Sequence, residues 1–229
     1  MILLQFMGIG SAFAPDLGNT SACLRRGNRM WLIDCGSTVF GELLKRQMMK
    51  NVNSVTVLVT HLHADHVGSL GTLISYAHYV QPMVITVVHP MDTLVSFLNL
   101  NGIRSERYQF VQTDQYREEG LKASFVSVRH TSSLQAWGIE LTDGEESVYF
   151  SGDAGEVPQE IWTRFLQGEV ARIYQDCALH AGGAHATLDH FSQMLSQKER
   201  SRFYPIHWEK DYQSLIRENG WGNALEVET

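Results

Sequence analysis

The sequence predicts a layered α/β or α+β domain, on three observations. Short apolar, β-branched runs recur along the 229 residues. Stretches with helical spacing of apolar side chains alternate with them. No repeat, low-complexity tract or Pro/Gly/Ser-rich linker divides the chain. A chain of this length buries a substantial core, and residues 1–229 are expected to form a single domain. In order, Ile2–Met7 and Met30–Asp34 read as strands, followed by a helical stretch over Val39–Met49. Val55–Val59 is continuously apolar and β-branched, the pattern of a strand covered on both faces. Val67–Ala77 has helical spacing, Met83–Val88 is a second buried strand, and Met91–Leu100 a further helix. Lys122–Val128 alternates, and Ala136–Leu141 with Ser147–Phe150 predicts a hairpin around Asp143-Gly144. Arg172–Leu179 and Arg202–Ile206 are expected strands, and Leu188–Ser196 and Tyr212–Asn219 expected helices.

Composition excludes several classes. Eighteen Lys and Arg against 25 Asp and Glu give a net charge of −7, a poor balance for binding nucleic acid through phosphate neutralisation. Cys23, Cys35 and Cys177 are odd in number and far apart, which predicts reduced thiols rather than a disulfide framework or a cysteine metal site. Ala12-Phe13-Ala14 mimics a signal-peptidase site, but the apolar stretch before it is short and no cation precedes it. No stretch approaches the roughly 18 apolar residues of a membrane span. The expectation is a soluble, cytoplasmic protein. Ten histidines in such a chain need a cause.

The strand Val55–Val59 runs into Thr60-His61-Leu62-His63-Ala64-Asp65-His66. In an extended segment, residues two apart point the same way, so His61 and His63 can share one metal ion, while Asp65 and His66 at the helix start face a neighbouring point. Neutral imidazole and carboxylate suit zinc or a similar transition metal. Three further residues stand just after expected strands: His130, Asp153 (in Ser151-Gly152-Asp153) and His207 (in Pro205-Ile206-His207). A layered fold gathers its site at strand ends, so the seven together fit a paired-metal site.

These motifs resemble the metallo-β-lactamase superfamily, in its ribonuclease Z-like phosphodiesterase branch. The resemblance spans almost the whole chain. Phe6-Met7-Gly8-Ile9-Gly10-Ser11-Ala12 is similar to that group's first strand and glycine turn, and Leu32-Ile33-Asp34-Cys35-Gly36 to its second landmark. His130-Thr131-Ser132-Ser133 is similar to the segment of the third histidine. The resemblance implies an αββα sandwich, two mixed sheets flanked by helices, with the site at one sheet edge. It assigns His61, His63 and His130 to one ion and Asp65, His66 and His207 to a second, with Asp153 bridging. It thus implies two divalent ions per chain, zinc first and manganese as the alternative. Asp65 and His185 are the catalytic candidates. His185, in Ala184-His185-Ala186-Thr187, resembles the histidine these enzymes place beside the site, and is read as the general acid for the leaving oxygen. A Glu that often follows the histidine corresponding to His180 is absent, because position 181 is Ala. A carboxylate partner for His185 is therefore missing or comes from elsewhere, with Asp189 one option. Asp176 and His180 are read as supporting or structural, and His78, His89 and His190 as structural or surface residues.

Ribonuclease Z proteins grip RNA with a long basic arm between the third histidine and the bridging aspartate. Here His130 and Asp153 are only 23 positions apart, and the expected hairpin uses most of them. A compact chain without the arm is similar to the anti-Pycsar enzymes that degrade cyclic nucleotides. That resemblance implies a small 3′,5′-cyclic mononucleotide substrate, a homodimer, a partner-subunit loop over the site, and no stable nucleic-acid partner. Thr131, Ser132 and Ser133 are candidate hydroxyl donors, and Asn101–Gln115 a candidate lid. A tRNA 3′ endonuclease, a lactone or thioester hydrolase, and a non-catalytic nucleotide-sequestering module are the alternatives.

Overall fold

A computed structural model describes residues 1–179, 183 and 185–226. His180 and Ala181 lie outside the described residues. The first sheet holds β1 (Gln5–Gly8), β2 (Ser21–Arg26), β3 (Arg29–Ile33), β4 (Ser54–Leu58), β5 (Val84–His89) and β6 (Gln109–Gln112), in that spatial order. The β1–β2 and β2–β3 pairs are antiparallel and the rest parallel, because the connections after β3, β4 and β5 carry helices. These are α1 (Val39–Lys45), α2 (Ala64–Val67), α3 (Leu70–Tyr79) and α4 (Thr93–Leu100).

Side-chain alternation along the strands explains the unbroken apolar runs. Met30 and Leu32 of β3, Val55 and Val57 of β4, and Ile85 and Val87 of β5 pack with Leu43, Leu73, Ile74, Leu94 and Leu98 of the helices. Trp31, Ile33, Leu58 and Val88 point the other way, into a core shared with the second sheet. That sheet comprises β7 (Gln115–Glu118), β8 (Leu121–Val128), β9 (Ala136–Thr142), β10 (Ser147–Phe150), β11 (Arg172–Ala178), the two-residue β12 (Ala186–Thr187) and β13 (Phe203–Ile206). The β7–β8–β9–β10 run is antiparallel, whereas β10, β12 and β13 all pair parallel to β11. Its outer face is covered by α5 (Gln159–Gln167) and α6 (Leu188–Met194), which bury Ile161, Trp162, Phe165 and Phe191. The short α7 (Gln197–Arg200) and α8 (Gln213–Glu218) flank β13. Helices, sheet, sheet, helices: the expected αββα layering is present.

Several elements depart from expectation. β2, β6, β7, α5 and α7 had no clear apolar signature, although Pro158, the Ile161/Trp162/Phe165 spacing and Gly168 (φ 83°) mark α5 in retrospect. The expected helix Val67–Ala77 is replaced by α2 and α3. Ser69 N–H donates to Cys35 O (3.0 Å), and Cys35 N–H donates to His66 O (2.7 Å), so the loop after β3 takes the groups that would continue the turn. Glycine is required there, since a Cβ on Gly36 would lie 1.8 Å from Asp65 O. Asn101–Gln115 is not a lid. Gln109–Gln112 is the edge strand β6, paired with β5, and Tyr108 is buried in the helix-side core. Among the described residues, no helix is long and apolar enough to cross a membrane.

Candidate metal centre and active-site cleft

All seven residues singled out in the sequence come together at one end of the sandwich, at the C-terminal ends of β4, β8, β10 and β13. They form two groups. His61, His63, His130 and Asp153 make one, and Asp65, His66, His207 and Asp153 the other. In the first, His61 Nε2 is 3.0 Å from His63 Nδ1, and that atom is 3.2 Å from His130 Nε2. Asp153 Oδ2 closes the group at 3.6 Å from His130 and 3.8 Å from His61. In the second, His66 Nε2 is 3.1 Å and His207 Nε2 3.3 Å from Asp153 Oδ1, while Asp65 Oδ2 is 3.4 Å from His66 and 3.3 Å from His207.

These spacings fit metal ligands. A tetrahedral ion with donors at about 2.0–2.2 Å has donor–donor edges of about 3.3–3.6 Å. His66 Nε2 and Asp153 Oδ1 are buried without a hydrogen-bond partner, a costly state that a cation between them would relieve. The donor set, imidazole and carboxylate without thiolate, suits a divalent ion such as zinc or manganese. Asp153 is the junction, with one oxygen turned to each group.

The ring orientations have a source that sequence reasoning missed. Asp34, at the end of β3, accepts from Thr60 N–H (2.7 Å), Thr60 Oγ1 (2.7 Å) and His66 Nδ1 (2.7 Å). That fixes the His66 proton on Nδ1 and turns Nε2 inward. With its own hydrogen given to Asp34, Thr60 Oγ1 accepts from His61 Nδ1 (3.1 Å), leaving His61 Nε2 facing its group. One buried carboxylate therefore orients a histidine in each group. The parallel β3–β4 register, with Ile33 opposite Leu58, places Asp34 and Thr60 side by side. Asp34 (φ 60°) and His207 (φ 63°) both adopt left-handed backbone, each at a cost of about 1–3 kcal/mol that the surrounding contacts must hold.

Protonation follows from burial and carboxylates. Burial holds His61 well below its ordinary value and lowers His130, so both are neutral donors. For His66, burial is outweighed by the carboxylates of Asp153 and Asp34, and the ring is held well above its ordinary value. Burial of His207 is likewise outweighed, by Asp153, Asp176 and Asp65, which push it up to about 10. Asp65 and Asp153 are buried, yet their histidine partners hold both below the usual carboxylate range. The pattern is that of a pocket rich in buried negative charge.

His185 stands beside both groups, its ring stacked on His207 (5.1 Å between centroids) and tilted toward His130 (5.5 Å). Its carboxylate partner is Asp176, whose Oδ2 accepts from His185 Nδ1 at 2.6 Å. Of the two alternatives left by the sequence, the partner comes from elsewhere, and it is Asp176 on β11 rather than Asp189, which is exposed at the start of α6. The Asp176 hydrogen bond outweighs partial burial and raises the His185 pKa. Asp176 Oδ1 also faces His207 Nδ1 (3.5 Å). His89 is buried and donates to Val59 O (2.9 Å), whereas His78 and His190 are exposed.

The cluster opens into a cleft of about 810 Å³, walled by Ser11–Phe13, Asn19, Ser37, Thr38, Thr131, Ala178 and Glu209 as well as the site residues. Thr131 lines it, while Ser132 and Ser133 are not among the lining residues.

Residues 2–226 match the model of the family "Anti-Pycsar protein Apyc1". The chain belongs to that family. Members similar to it include the anti-Pycsar protein Apyc1 of Bacillus phage vB_BsuM-Goe3, 26% identical over 244 residues with 95% of this chain and 93% of that protein covered. That of Saccharibacillus brassicae is 26% identical over 239 residues, covering 97% and 96%. Among solved structures, the metallo-β-lactamase fold protein YhfI from Bacillus subtilis aligns with a TM-score of 0.72 at 15% identity, covering 96% of this chain and 91% of that one. The short form of human tRNase Z aligns with a TM-score of 0.68 at 18% identity, covering 92% and 93%. The Apyc1-family chain thus has the metallo-β-lactamase fold, and its fold, family and donor clusters together support a metal-dependent hydrolase.

Proposed function

We propose that the chain hydrolyses 3′,5′-cyclic mononucleotides to nucleoside monophosphates, terminating a cyclic-nucleotide signal of the kind its family name implies. The observation that carries this is Asp153, whose two carboxylate oxygens face separate donor groups beside a histidine–carboxylate pair. In this reading His61, His63 and His130 would hold one divalent ion and Asp65, His66 and His207 a second, with Asp153 serving both groups. Zinc is the preferred ion and manganese the alternative. When bound, such a pair supplies a water activated at neutral pH and neutralises the phosphate oxygens.

The chain's own residues do the rest. His185, kept protonated at Nδ1 by Asp176, gives its Nε2 proton to the ribose oxygen that leaves phosphorus. Asp65 combines metal binding with the catalytic role read from the sequence, its Oδ2 standing 3.3 Å from His207 Nε2 on the same side of the cluster. Asp34 and Thr60 hold His66 and His61 in place.

Size and charge favour a small substrate. The connection from His130 to Asp153 is filled by β9, β10 and their tight turn, leaving no length for an RNA-gripping arm. The chain carries a net charge of −7. We read it as one cytoplasmic domain that acts as a homodimer. The deciding experiment incubates metal-replete protein with a panel of 3′,5′-cyclic nucleotides and one precursor tRNA. Nucleoside monophosphate release, with about two equivalents of metal per chain, supports the proposal. Cleavage of the tRNA instead, or of carboxyl esters without any phosphodiester, replaces it with the endonuclease or the lactone/thioester hydrolase reading.

A further inference from the structure

Phe13 is the most exposed large apolar side chain among the described residues, at 95%, and it lines the same cleft as His63, Asp65, His130, Asp153 and His185. An aromatic ring left in water at a loop tip contributes nothing to the chain's own core. The loop that carries it is nevertheless firmly held. Gly10 N–H donates to Gly18 O (2.7 Å), Thr20 N–H to Gly10 O (3.0 Å), Ala14 N–H to Ser11 O (3.2 Å), and Ser11 N–H to Trp208 O (2.9 Å). Trp208 is fully buried and directly follows His207. The loop is therefore fastened to the strand end that supplies a histidine of the second group, and it presents the ring at a fixed place over the cleft.

The cleft has two chemically different ends. Among the described residues no lysine or arginine lines it, so an anionic group is best met at the histidine–aspartate cluster and the cations it would hold. The wall formed by Ala12, Phe13 and Pro15 is apolar and suits a neutral, flat group. A cyclic mononucleotide has one anionic phosphodiester and one neutral, flat base.

We propose that Phe13 is the stacking platform for the nucleobase and therefore the residue that sets affinity for the nucleoside part of the substrate. This rests on the cyclic-nucleotide reading above and deepens it. Every base presents a π-face, so a lone aromatic platform tolerates all bases and favours the larger purines. The ring touches the base and not the reacting phosphorus. Its loss therefore raises KM and leaves kcat within about twofold.

The test uses metal-loaded wild type, Phe13→Ala and Phe13→Trp with the four common 3′,5′-cyclic nucleotides and with the abasic analogue methyl ribofuranoside 3′,5′-cyclic phosphate. Phe13→Ala is expected to raise KM for the nucleotides about 10- to 100-fold, the range of base–aromatic stacking. It should leave abasic kinetics unchanged, and Phe13→Trp should restore the nucleotide KM. An unchanged nucleotide KM in Phe13→Ala refutes the platform while leaving the function standing. An equal loss on the abasic analogue, or a change in sedimentation showing that the ring holds a second copy of the chain, also refutes it. Failure of wild type on every cyclic nucleotide refutes the function itself, and the platform with it.

Discussion

Replacing Asp176 with asparagine isolates the proton-donating half of the site. Asp176 Oδ2 accepts from His185 Nδ1 at 2.6 Å and from Ala154 N–H at 3.0 Å, and the carboxylate raises the His185 pKa above 6.5. Asparagine is nearly isosteric and keeps an oxygen for Ala154, but it removes the charge. If the ring returns to about 6.5, about a quarter of His185 is protonated at pH 7 and about 3% at pH 8. A raised pKa keeps the acid form present into mildly alkaline pH and loses it as pH rises through that value. The Asp176→Asn alkaline limb should therefore move to lower pH, and the deficit relative to wild type should grow from pH 7 to pH 8. Loss of ring orientation adds to this, up to the 10²–10⁴-fold worth of a general acid. The assay follows kcat against pH for a 3′,5′-cyclic nucleotide, whose ribose alkoxide needs a proton to leave. A p-nitrophenyl phosphodiester runs in parallel, because its nitrophenolate leaves without one. Metal content is measured on the same samples, since Asp176 also faces His207. Equal losses on both substrates with full metal, or an unshifted alkaline limb, would refute His185–Asp176 as the acid pair.

Four other outcomes are expected. Asp153→Asn should abolish turnover and lower bound metal by elemental analysis, because one carboxylate serves both groups. Asp34→Ala removes three buried hydrogen bonds and frees His66 and His61, so metal affinity should fall about 10- to 100-fold by chelator competition, with the secondary structure retained by circular dichroism. Gly36→Ala places a Cβ against Asp65 O, and Asp65 and His66 must shift; the expected readout is loss of activity and of the metals. Phe165, fully buried on the inner face of α5 and flanked by Trp162 and Phe203, should cost about 3–5 kcal/mol as Phe165→Ala in urea unfolding, with the site chemistry untouched in the fraction that remains folded.

How far the sequence revealed the site follows from what each residue does. The seven clustered donors were visible because a metal ligand must be a particular side chain at a particular strand end, and β4 ending in His61–His66 announces itself. Asp34 was not visible as a partner, and Asp176, read as supporting or structural, was not matched to His185. Their roles depend on which strands lie side by side, and the adjacency of β3 to β4, and of β11 to β12 and β13, is a property of topology that local pattern does not encode. The same holds for the elements. Strands covered on both faces, such as β4 and β5, read clearly from continuous apolar runs. The edge strands β6 and β7 carry polar, half-exposed side chains and read as loop until pairing partners are known.

Charge, finally, argues for what the centre must contain. Asp34, Asp65, Asp153 and Asp176 are all buried within one cluster. Left alone, four carboxylates in a low-dielectric pocket would carry a heavy desolvation penalty. The protein's own remedy is to hold His66 and His207 above their ordinary values. Those same two rings, however, point Nε2 at Asp153 and Asp65, so a proton there competes with any metal for the same lone pair. Metal uptake at the second group must therefore release protons, and His61 and His130, already neutral, must release none at the first. Acidification should accordingly strip the Asp65–His66–His207 group before the His61–His63–His130 group. Titrating apoprotein with zinc in buffers of different ionisation enthalpy, by calorimetry at pH 6 and pH 8, would count the protons released at each step. Equal proton release at the two steps would overturn the assignment of unlike protonation to the two groups.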